Sequence, residues 1–477
     1  MASSGDLAVE EAVSLSVSER MQEKRLEREK KYGSRTLDMT KGEPIVLILQ
    51  FAIPLFIGTL FQQAYHLADT MIIGRALGGR AVAAAGATSA LYSVLIYFAN
   101  GMNSGYGIMI SRMFGSKDYN GLRKAGAAMV ILDAAAAVIL PVVFLPMLSL
   151  LLGWLDTPKD IFAQSYGYIF VILLGMPAAI GYNMGAGFMR AVGNSRTPLY
   201  FLIFSSGVNI VLDFLFVVTW KFGVIGAAAA TVIAETLSAV LCFLYICRCY
   251  REFLPKKEDW KPGKNLTLEM LSTGLSMGLM QSVFSLGTII LQKGINQLGT
   301  GIITAHTASQ KINEMLMMPL SMLAASDAVF VGQNFGARQY NRIRRGIKQV
   351  MFLELCWSIV SALIVWTAGP FLVALLLGTE SVRAVGNAVL NLKAATALFF
   401  PLGVLLVLRN AVQPMGCKIP PVISSSIELL IKIIFCFTVI PKAGYLGVVV
   451  TEPFIWVVCA GFMSFIYRNF SRKYLAG

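Results

Sequence analysis

Twelve apolar segments, each about as long as a membrane-spanning helix, most constrain how this chain can fold. A bilayer core of about 30 Å needs roughly 20 mostly apolar residues per helix, because backbone polar groups cannot stay unpaired in lipid. Apolar residues make up 56% of the chain and charged residues only 14%, against about 25% charged residues in soluble domains. The sequence therefore predicts an all-α integral membrane protein with twelve transmembrane helices. They lie near residues 45–73, 81–111, 125–152, 161–189, 198–219, 222–247, 269–298, 303–333, 346–377, 382–412, 420–440 and 446–467.

The basic residues predict how these helices are oriented in the membrane. Loops rich in Lys and Arg stay cytoplasmic. With the amino terminus inside, 30 of the 40 basic residues fall on the inner side and 6 on the outer side. Both termini are thus expected in the cytoplasm, and the net charge of +14 indicates topology rather than nucleic-acid binding. The expected parts are a charged tail, an N-lobe, a linker, a C-lobe and a second tail, at residues 1–44, 45–248, 249–268, 269–467 and 468–477.

A repeat divides the chain into two related halves. Each half contains six predicted helices, an even number, so both halves enter the membrane from the same side. The repeat axis is then expected along the membrane normal, with a cleft between the halves that suits alternating access. Three matches share an offset of 221 residues: Phe114–Lys124 with Phe335–Arg345, Leu77–Gly78 with Leu298–Gly299, and Gly223/Gly226 with Gly444/Gly447.

Four segments resemble signatures of the multidrug and toxic compound extrusion (MATE) family, in its DinF/MepA-like bacterial branch. They are Ala68–Gly74, Arg190–Pro198, Gly223–Thr231 and Val331–Ala337. The resemblance implies two pseudo-symmetric six-helix bundles that form a V-shaped central cavity. It also implies an efflux antiporter that exchanges H⁺ or Na⁺ for organic, cationic or amphiphilic compounds. We expect a monomer in the cytoplasmic membrane, with no cofactor beyond the coupling ion and no partner besides small organic substrates and lipid.

The resemblance also places a cation site in the N-lobe, at Asp69, Asn209, Asp213 and Thr231, with Asn183 as a further member. The residues themselves point the same way, because a carboxylate at bilayer depth costs several kcal/mol on insertion scales. Asn209 lies one helical turn before Asp213, so the two share a helix face. Two carboxyl groups could carry a proton, or could hold Na⁺ together with the neutral oxygens. Two alternatives stay open, namely an interfacial Asp69 and an Asp213 that makes only a helix-packing hydrogen bond.

The second half carries different charges within its apolar segments. The spacings of Glu428/Lys432 and of Lys311/Glu314 predict internal ion pairs. Acidic residues are missing from two positions, where Gln281 and Lys393 stand instead, and this argues against a Na⁺ site in the C-lobe. Arginine is expected to be essentially absent from the membrane. Whether Lys293, Lys311, Lys393 and Glu314 line the cavity is left open. The other charges are Asp327, Glu354 and Glu452, with Asp133 and Glu235 in the first half.

Other classes of function fit the sequence less well. A flippase for a lipid-linked precursor, from the same superfamily, is the main alternative, but those proteins often have additional helices and an arginine-rich cavity. An enzyme is not expected, because the chain has two histidines and no Ser/His/Asp set, metal cluster or phosphate loop. A channel would need a filter motif, which is not apparent. Prolines within apolar segments predict kinks or hinges, at Pro54, Pro177, Pro319 and Pro401.

Overall fold

The computed structural model describes residues 36–377 and 382–474, and the regular elements of that part are all helical. The N-lobe helices are α1 (Pro44–Leu77), α2 (Gly79–Gly115), α3 (Tyr119–Trp154), α4 (Phe162–Leu174), α5 (Met176–Ala191), α6 (Arg196–Asp213) and α7 (Gly223–Cys249). The C-lobe helices are α8 (Lys264–Asn296), α9 (Thr300–Gly336), α10 (Tyr340–Leu377), α11 (Val382–Ala397), α12 (Phe399–Val412), α13 (Ile419–Ile434), α14 (Ile440–Ala443) and α15 (Tyr445–Tyr474).

With each bent helix pair counted as one span, the described residues contain twelve candidate membrane spans, which agrees with the predicted number. Ten spans are continuous, and two are bent pairs, α4/α5 with a bend of 44° and α11/α12 with a bend of 52°. Pro177 and Pro401 lie just after these two breaks, where the missing proline N–H leaves a hydrogen bond unmade. Pro54 and Pro319, in contrast, lie inside the uninterrupted helices α1 and α9. Of the four predicted hinge prolines, two therefore mark breaks.

The repeat is visible in the backbone. Helix α6 passes into a π-helical segment at Phe214, and α13 passes into one at Phe435, 221 residues later. The residues Lys117 and Arg338, also 221 apart, both adopt a left-handed conformation with φ of 60° and 57°. Such conformations are uncommon outside glycine. Because these distortions recur in one register, the two halves share a common backbone plan.

The two lobes pack closely at one membrane face, which we call the terminal face because α1 begins and α15 ends there. Gly115 and Gly336, in equivalent positions of the repeat, approach the other lobe so closely that an added Cβ would lie 1.9 Å from a carbonyl oxygen. Deeper in the membrane, Gly101 and Gly105 of α2 lie against the backbone of α8. Small residues at this spacing let membrane helices approach closely.

Towards the opposite face, each lobe packs on itself. Gly287 and Gly294, in the second half of α8, face Lys432 and Cys436 of the C-lobe helix α13 and its π-helical extension. In the N-lobe, Gly74 near the end of α1 lies against Val82 of α2. The lobes thus meet at the terminal face and separate beyond it, which gives the predicted V-shaped cavity.

A short segment before α1 joins the two lobes at the terminal face. The Leu37 N–H donates to the Gly193 carbonyl of the N-lobe over 3.1 Å. Met39 is fully buried, and its N–H donates to Gln333 Oε1 of the C-lobe over 2.9 Å. We call residues 36–43 the strap. The sequence predicts a solvated tail up to residue 44; its residues 1–35 lie outside the described part, while the strap is packed between the lobes.

The other connections are shorter than predicted. Helix α7 ends at Cys249 and α8 begins at Lys264, so the linker between the lobes spans 250–263. Asp259 in this linker forms an ion pair with Arg123 of α3 at 2.9 Å. Helix α15 continues to Tyr474 and includes most of the segment predicted as a C-terminal tail.

Candidate cation site

The N-lobe buries a polar face of α6. Asp213 is 0% exposed and Asn209, one turn earlier, is 2% exposed, as their spacing predicts. In the amide orientation that satisfies both neighbours, Asn209 Nδ2 donates to Asp213 Oδ2 over 3.3 Å. Its Oδ1 accepts from the backbone N–H of Thr231 on α7, also over 3.3 Å. The amide therefore links the carboxyl group on α6 to the neighbouring helix.

Asp69 on α1 completes a pair of carboxyl groups. Its side chain forms a hydrogen bond with that of Asp213. Such a bond requires a proton on one of the two groups, because two carboxylates have no hydrogen to donate. One oxygen of each carboxyl group, Oδ1 in both cases, is buried without a hydrogen-bond partner among the described residues. Three helices thus bring together two acids that have no ion-pair partner in the described part of the chain.

Asn183 is the one predicted member that is not drawn into this cluster. Its Nδ2 donates to the Ala179 carbonyl, one turn earlier on α5, over 2.8 Å. Within the described part of the chain, no hydrogen bond joins Asn183 to the two acids. The hydroxyl of Thr231 likewise donates within its own helix, to the Ala227 carbonyl over 3.2 Å, so that Thr231 reaches the cluster through its backbone N–H.

Two residues that sequence reasoning missed stand beside the pair. Tyr168 on α4 is close enough to interact electrostatically with Asp69, Asp213 and Glu235, and Tyr65 interacts with Asp69 and Glu235. Tyr65 lies one turn before Asp69 on α1, so its spacing was a usable signal. Tyr168 comes from a different helix, and no local pattern connects it to the acids.

Glu235 and Asp133, which could have paired with one another, have separate surroundings. Glu235 lies one turn after Thr231 on α7, on the side of the carboxyl pair. Asp133 on α3 is buried and lies close to the Asn103 side chain of α2, whose Nδ2 donates to the Ala99 carbonyl over 3.2 Å. Among the described residues no hydrogen bond joins these two acids.

The C-lobe neutralises its buried acids with cations. Glu428 lies between Lys432, at 3.2 Å, and Arg409, at 3.1 Å, and Lys432 also pairs with Glu452 at 2.9 Å. We call these four residues the ion network. The network confirms the predicted Glu428/Lys432 pair. The prediction that arginine is essentially absent from the membrane is wrong for Arg409, because this residue belongs to α12 and is buried inside the C-lobe rather than in a loop.

The predicted Lys311/Glu314 pair is also present, but it is exposed. Its atoms lie 3.2 Å apart, and the two side chains are 67% and 55% exposed. Lys311 is close enough to interact with His66 of α1, and Glu314 with Tyr97 of α2. Since both partners belong to the N-lobe, this pair faces the cavity between the lobes.

The remaining predicted cations differ in their environment. The Lys393 ammonium lies 5.6 Å from the centre of the Trp366 ring, which indicates a cation–π contact with α10. Lys293, near the end of α8, is exposed. His306 is buried and meets the Tyr445 ring edge-on at 6.2 Å, a packing role. These residues do not join the carboxyl pair.

Known proteins resemble this chain over nearly its whole length. The profile of the MatE family matches residues 54–215 and again residues 277–438, one match in each half. The chain belongs to the MATE family. This chain, a multi-pass membrane protein with two six-helix bundles, therefore has the fold of a MATE transporter.

Individual relatives agree with this assignment. The chain is 24% identical over 448 residues to the probable multidrug resistance protein YpnP of Bacillus subtilis, covering 92% of this chain and 99% of the relative. It is 23% identical over 390 residues to the multidrug export protein MepA of Staphylococcus aureus, covering 81% and 86%. The crystal structure of a MATE protein in a bent conformation superposes with a TM-score of 0.85 at 22% identity, covering 92% and 99%.

Proposed function

We propose that this MATE protein is a secondary active antiporter that exports organic, cationic or amphiphilic compounds from the cell in exchange for H⁺ or Na⁺. The observation that carries the proposal is the carboxyl pair of Asp69 and Asp213 in the N-lobe, which has no ion-pair partner among the described residues. Asp213 is fully buried and Asp69 is partly buried, and Asn209 links Asp213 to Thr231. Such a pair binds one proton readily, and its unpaired oxygens together with neutral oxygens suit a small hard cation.

The coupling then follows from differential binding. With the basic terminal face in the cytoplasm, as the distribution of Lys and Arg favours, the cavity of this structure opens to the outside. A cation entering the pair from outside favours one arrangement of the lobes, and loss of that cation favours the other. A ligand shifts such an equilibrium only by its difference in affinity between the two states. Substrate leaves as the cation enters.

The substrate class is supported by the relatives and by the cavity. YpnP and MepA are named for multidrug resistance and export, and the exposed pair of Lys311 and Glu314 offers the cavity one charge of each sign. The comparisons do not favour the alternative of a lipid flippase. Within the described residues, the buried Arg409 is engaged with Glu428 and Ser424 inside the C-lobe rather than in the cavity. We further propose that the chain acts as a monomer and needs no cofactor.

Transport in proteoliposomes tests this function. The full chain is reconstituted, and a pH gradient or a Na⁺ gradient is imposed separately while the movement of a panel of cationic dyes and drugs is followed. We expect one of the two gradients to drive transport in the wild-type protein and to fail in Asp69→Asn. Movement of no compound under either gradient, with protein shown to be folded, would contradict the proposal.

A further inference from the structure

Two further acids lie inside the C-lobe, apart from the ion network. Asp327 on α9 and Glu354 on α10 are both 0% exposed, and their carboxyl groups are close enough to interact. All four carboxyl oxygens lack a hydrogen-bond or ion-pair partner among the described residues. An unpaired buried charge is so costly that a group in this position normally becomes neutral. These acids therefore need a ligand of opposite charge, or a proton.

The surroundings of the two acids are apolar and shaped around Glu354. Ala324, Val350 and Leu402 belong to the hydrophobic core of the C-lobe that encloses them. The Glu354 carboxyl group lies against Gly403 of α12, where an added Cβ would be 2.7 Å from Glu354 Oε2. Glycine at this position leaves the room that the carboxyl group occupies.

The ionisable groups of the neighbouring helices do not compensate the pair. Tyr467 of α15 is close to Asp327, and it is also close to Arg344. Arg409 of α12 is already bound to Glu428 and Ser424. The remaining helices packed on α9 and α10, namely α1, α2, α8 and α11, bring no charge within reach of either carboxyl among the described residues.

The repeat shows what the equivalent positions hold in the N-lobe. Glu354 corresponds to Asp133 and Asp327 to Tyr106, each 221 residues earlier. Tyr106 and Asp133 are likewise close enough to interact. In the N-lobe an acid thus stands beside a hydroxyl group that keeps its proton at neutral pH. In the C-lobe an acid stands beside a second acid, which can release its proton.

Asp327 also belongs to the helix that closes the terminal face. Gly332, five residues later on α9, touches Ser111 of α2, and Gly336 touches Arg112. If the lobes separate at this face, the end of α9 loses these contacts. A path for protons from the terminal face to Asp327 would open with that movement.

We propose that Asp327 and Glu354 form a second proton-binding site, in the C-lobe and separate from Asp69 and Asp213. Both carboxyl groups carry a proton, and are therefore neutral, while the terminal face is closed, and the pair releases protons to water when that face opens. A proton fits better than Na⁺, because no amide or hydroxyl group of the described residues forms a hydrogen bond with either carboxyl, whereas a metal ion needs several oxygen ligands. The proposal rests on the proposed function of cation-coupled antiport.

Infrared spectroscopy of the purified full-length protein tests the proton directly. Protonated carboxyl groups give a C=O stretching band that shifts when H₂O is replaced by D₂O. At neutral pH we expect the wild-type protein to show this band, and Glu354→Gln and Asp327→Asn each to lose part of it. Glu314→Gln, which removes an ionised partner of Lys311, serves as the matched control and should lose none. Should Glu354→Gln fail to fold, Asp327→Asn carries the same test.

A transport measurement shows whether this proton takes part in coupling. In proteoliposomes, we expect the efflux rate of Glu354→Gln to depend less steeply on the pH at the terminal face than that of the wild type. A band that is unchanged in both variants would overturn the proposal, as would the loss, on adding Na⁺ to the wild-type protein, of the part of the band that Glu354→Gln removes. An efflux rate of Glu354→Gln that depends on pH as steeply as that of the wild type would also overturn the proposal. Failure of the proposed function would appear instead as a wild-type protein without ion-driven efflux, whatever its infrared band.

Discussion

In the N-lobe, Asp69 and Asp213 face one another without an ion-pair partner among the residues that the structure describes, whereas in the C-lobe Glu428 lies between Arg409 and Lys432. Both sites are built on the same backbone plan, including the π-helical segment that follows α6 and α13. The register even places Glu452 of the ion network at the position of Thr231. The two lobes thus share a fold but differ in their buried charges. The C-lobe contains compensated ions that stabilise the structure, and the N-lobe contains uncompensated acids that can take up and release a cation.

The largest expected effect is a loss of stability. It should be seen when a compensated ion of the C-lobe is removed and not when an uncompensated acid of the N-lobe is removed. Lys432→Met leaves the buried Glu428 with Arg409 as its only ion-pair partner among the described residues and the partly buried Glu452 without its partner. Removing one partner of a buried ion pair costs about 3–5 kcal/mol. We expect a correspondingly large fall in the thermal unfolding temperature of the purified protein.

The matched variant in the N-lobe is Asp213→Asn. In this variant a neutral amide of similar shape takes the place of a carboxyl group that shares a proton with Asp69. The unfolding temperature should therefore change little, while transport is lost. Equal destabilisation by the two variants would show that the lobes do not differ in this way.

A second prediction concerns the contact between the lobes. In Gly336→Ala, the new Cβ would lie 1.9 Å from the Arg112 carbonyl oxygen, and overpacking of this kind typically costs about 1–3 kcal/mol. Because the clash exists only when the terminal face is closed, the variant should populate states in which that face is open. Distances between spin labels across that face measure the shift. Gly461→Ala, where the added Cβ meets no atom within 4 Å, is the control and should leave the distances unchanged.

The strap predicts a smaller effect at the same face. Arg342 donates from Nε and Nη2 to the Met39 carbonyl over 3.3 and 3.1 Å. Since this guanidinium is partly exposed, its loss in Arg342→Gln should weaken strap binding by only about 1 kcal/mol. Hydrogen exchange of the amides in residues 36–43 should become faster. In Arg344→Gln, which instead loses a contact with the Ser471 carbonyl, exchange of the strap should stay as in the wild type.

The smallest effect is expected at the linker, in an ion pair outside the membrane. The Lys256 N–H and, to a lesser degree, the Arg123 guanidinium hold the pKa of Asp259 below its usual value. The pair therefore stabilises the folded linker fully above the ordinary Asp pKa of about 3.9, and this contribution disappears as the pH falls through the lowered value. The protection factors of the amides in residues 250–263, which compare each exchange rate with the intrinsic rate at the same pH, should fall on acidification. Arg123→Gln should weaken this dependence, and a linker insensitive to acid in both proteins would contradict it.

Much of the fold follows from the sequence, since length, hydropathy and the repeat determine the number and arrangement of the spans. The breaks were harder to predict, because Pro54 and Pro177 look alike locally. Whether a proline bends a membrane helix depends on how neighbouring helices satisfy the freed carbonyl groups, which only the packing decides.

The candidate site, too, could be predicted from the sequence only where its residues share one helix. Asn209 and Asp213 share one helix, so their spacing predicted a shared polar face. The pairing of Asp213 with Asp69, the approach of Tyr168 and the meeting of Asp327 with Glu354 all involve different helices. Arg409 lies near the end of the apolar segment 382–412, where burial cannot be judged from hydropathy. Contacts between helices carry the information that spacing lacks.

The most direct test of the central claim is ion-driven efflux by Asp213→Asn in proteoliposomes, compared with the wild type and with Glu428→Gln. Each variant is first shown to be folded and monodisperse, and rates are normalised to the amount of folded protein. We predict that Asp213→Asn loses efflux driven by either a pH or a Na⁺ gradient, while Glu428→Gln loses stability but still responds to the gradient. Efflux by Asp213→Asn at the wild-type rate, under the same gradients, would contradict the assignment of cation coupling to the N-lobe pair.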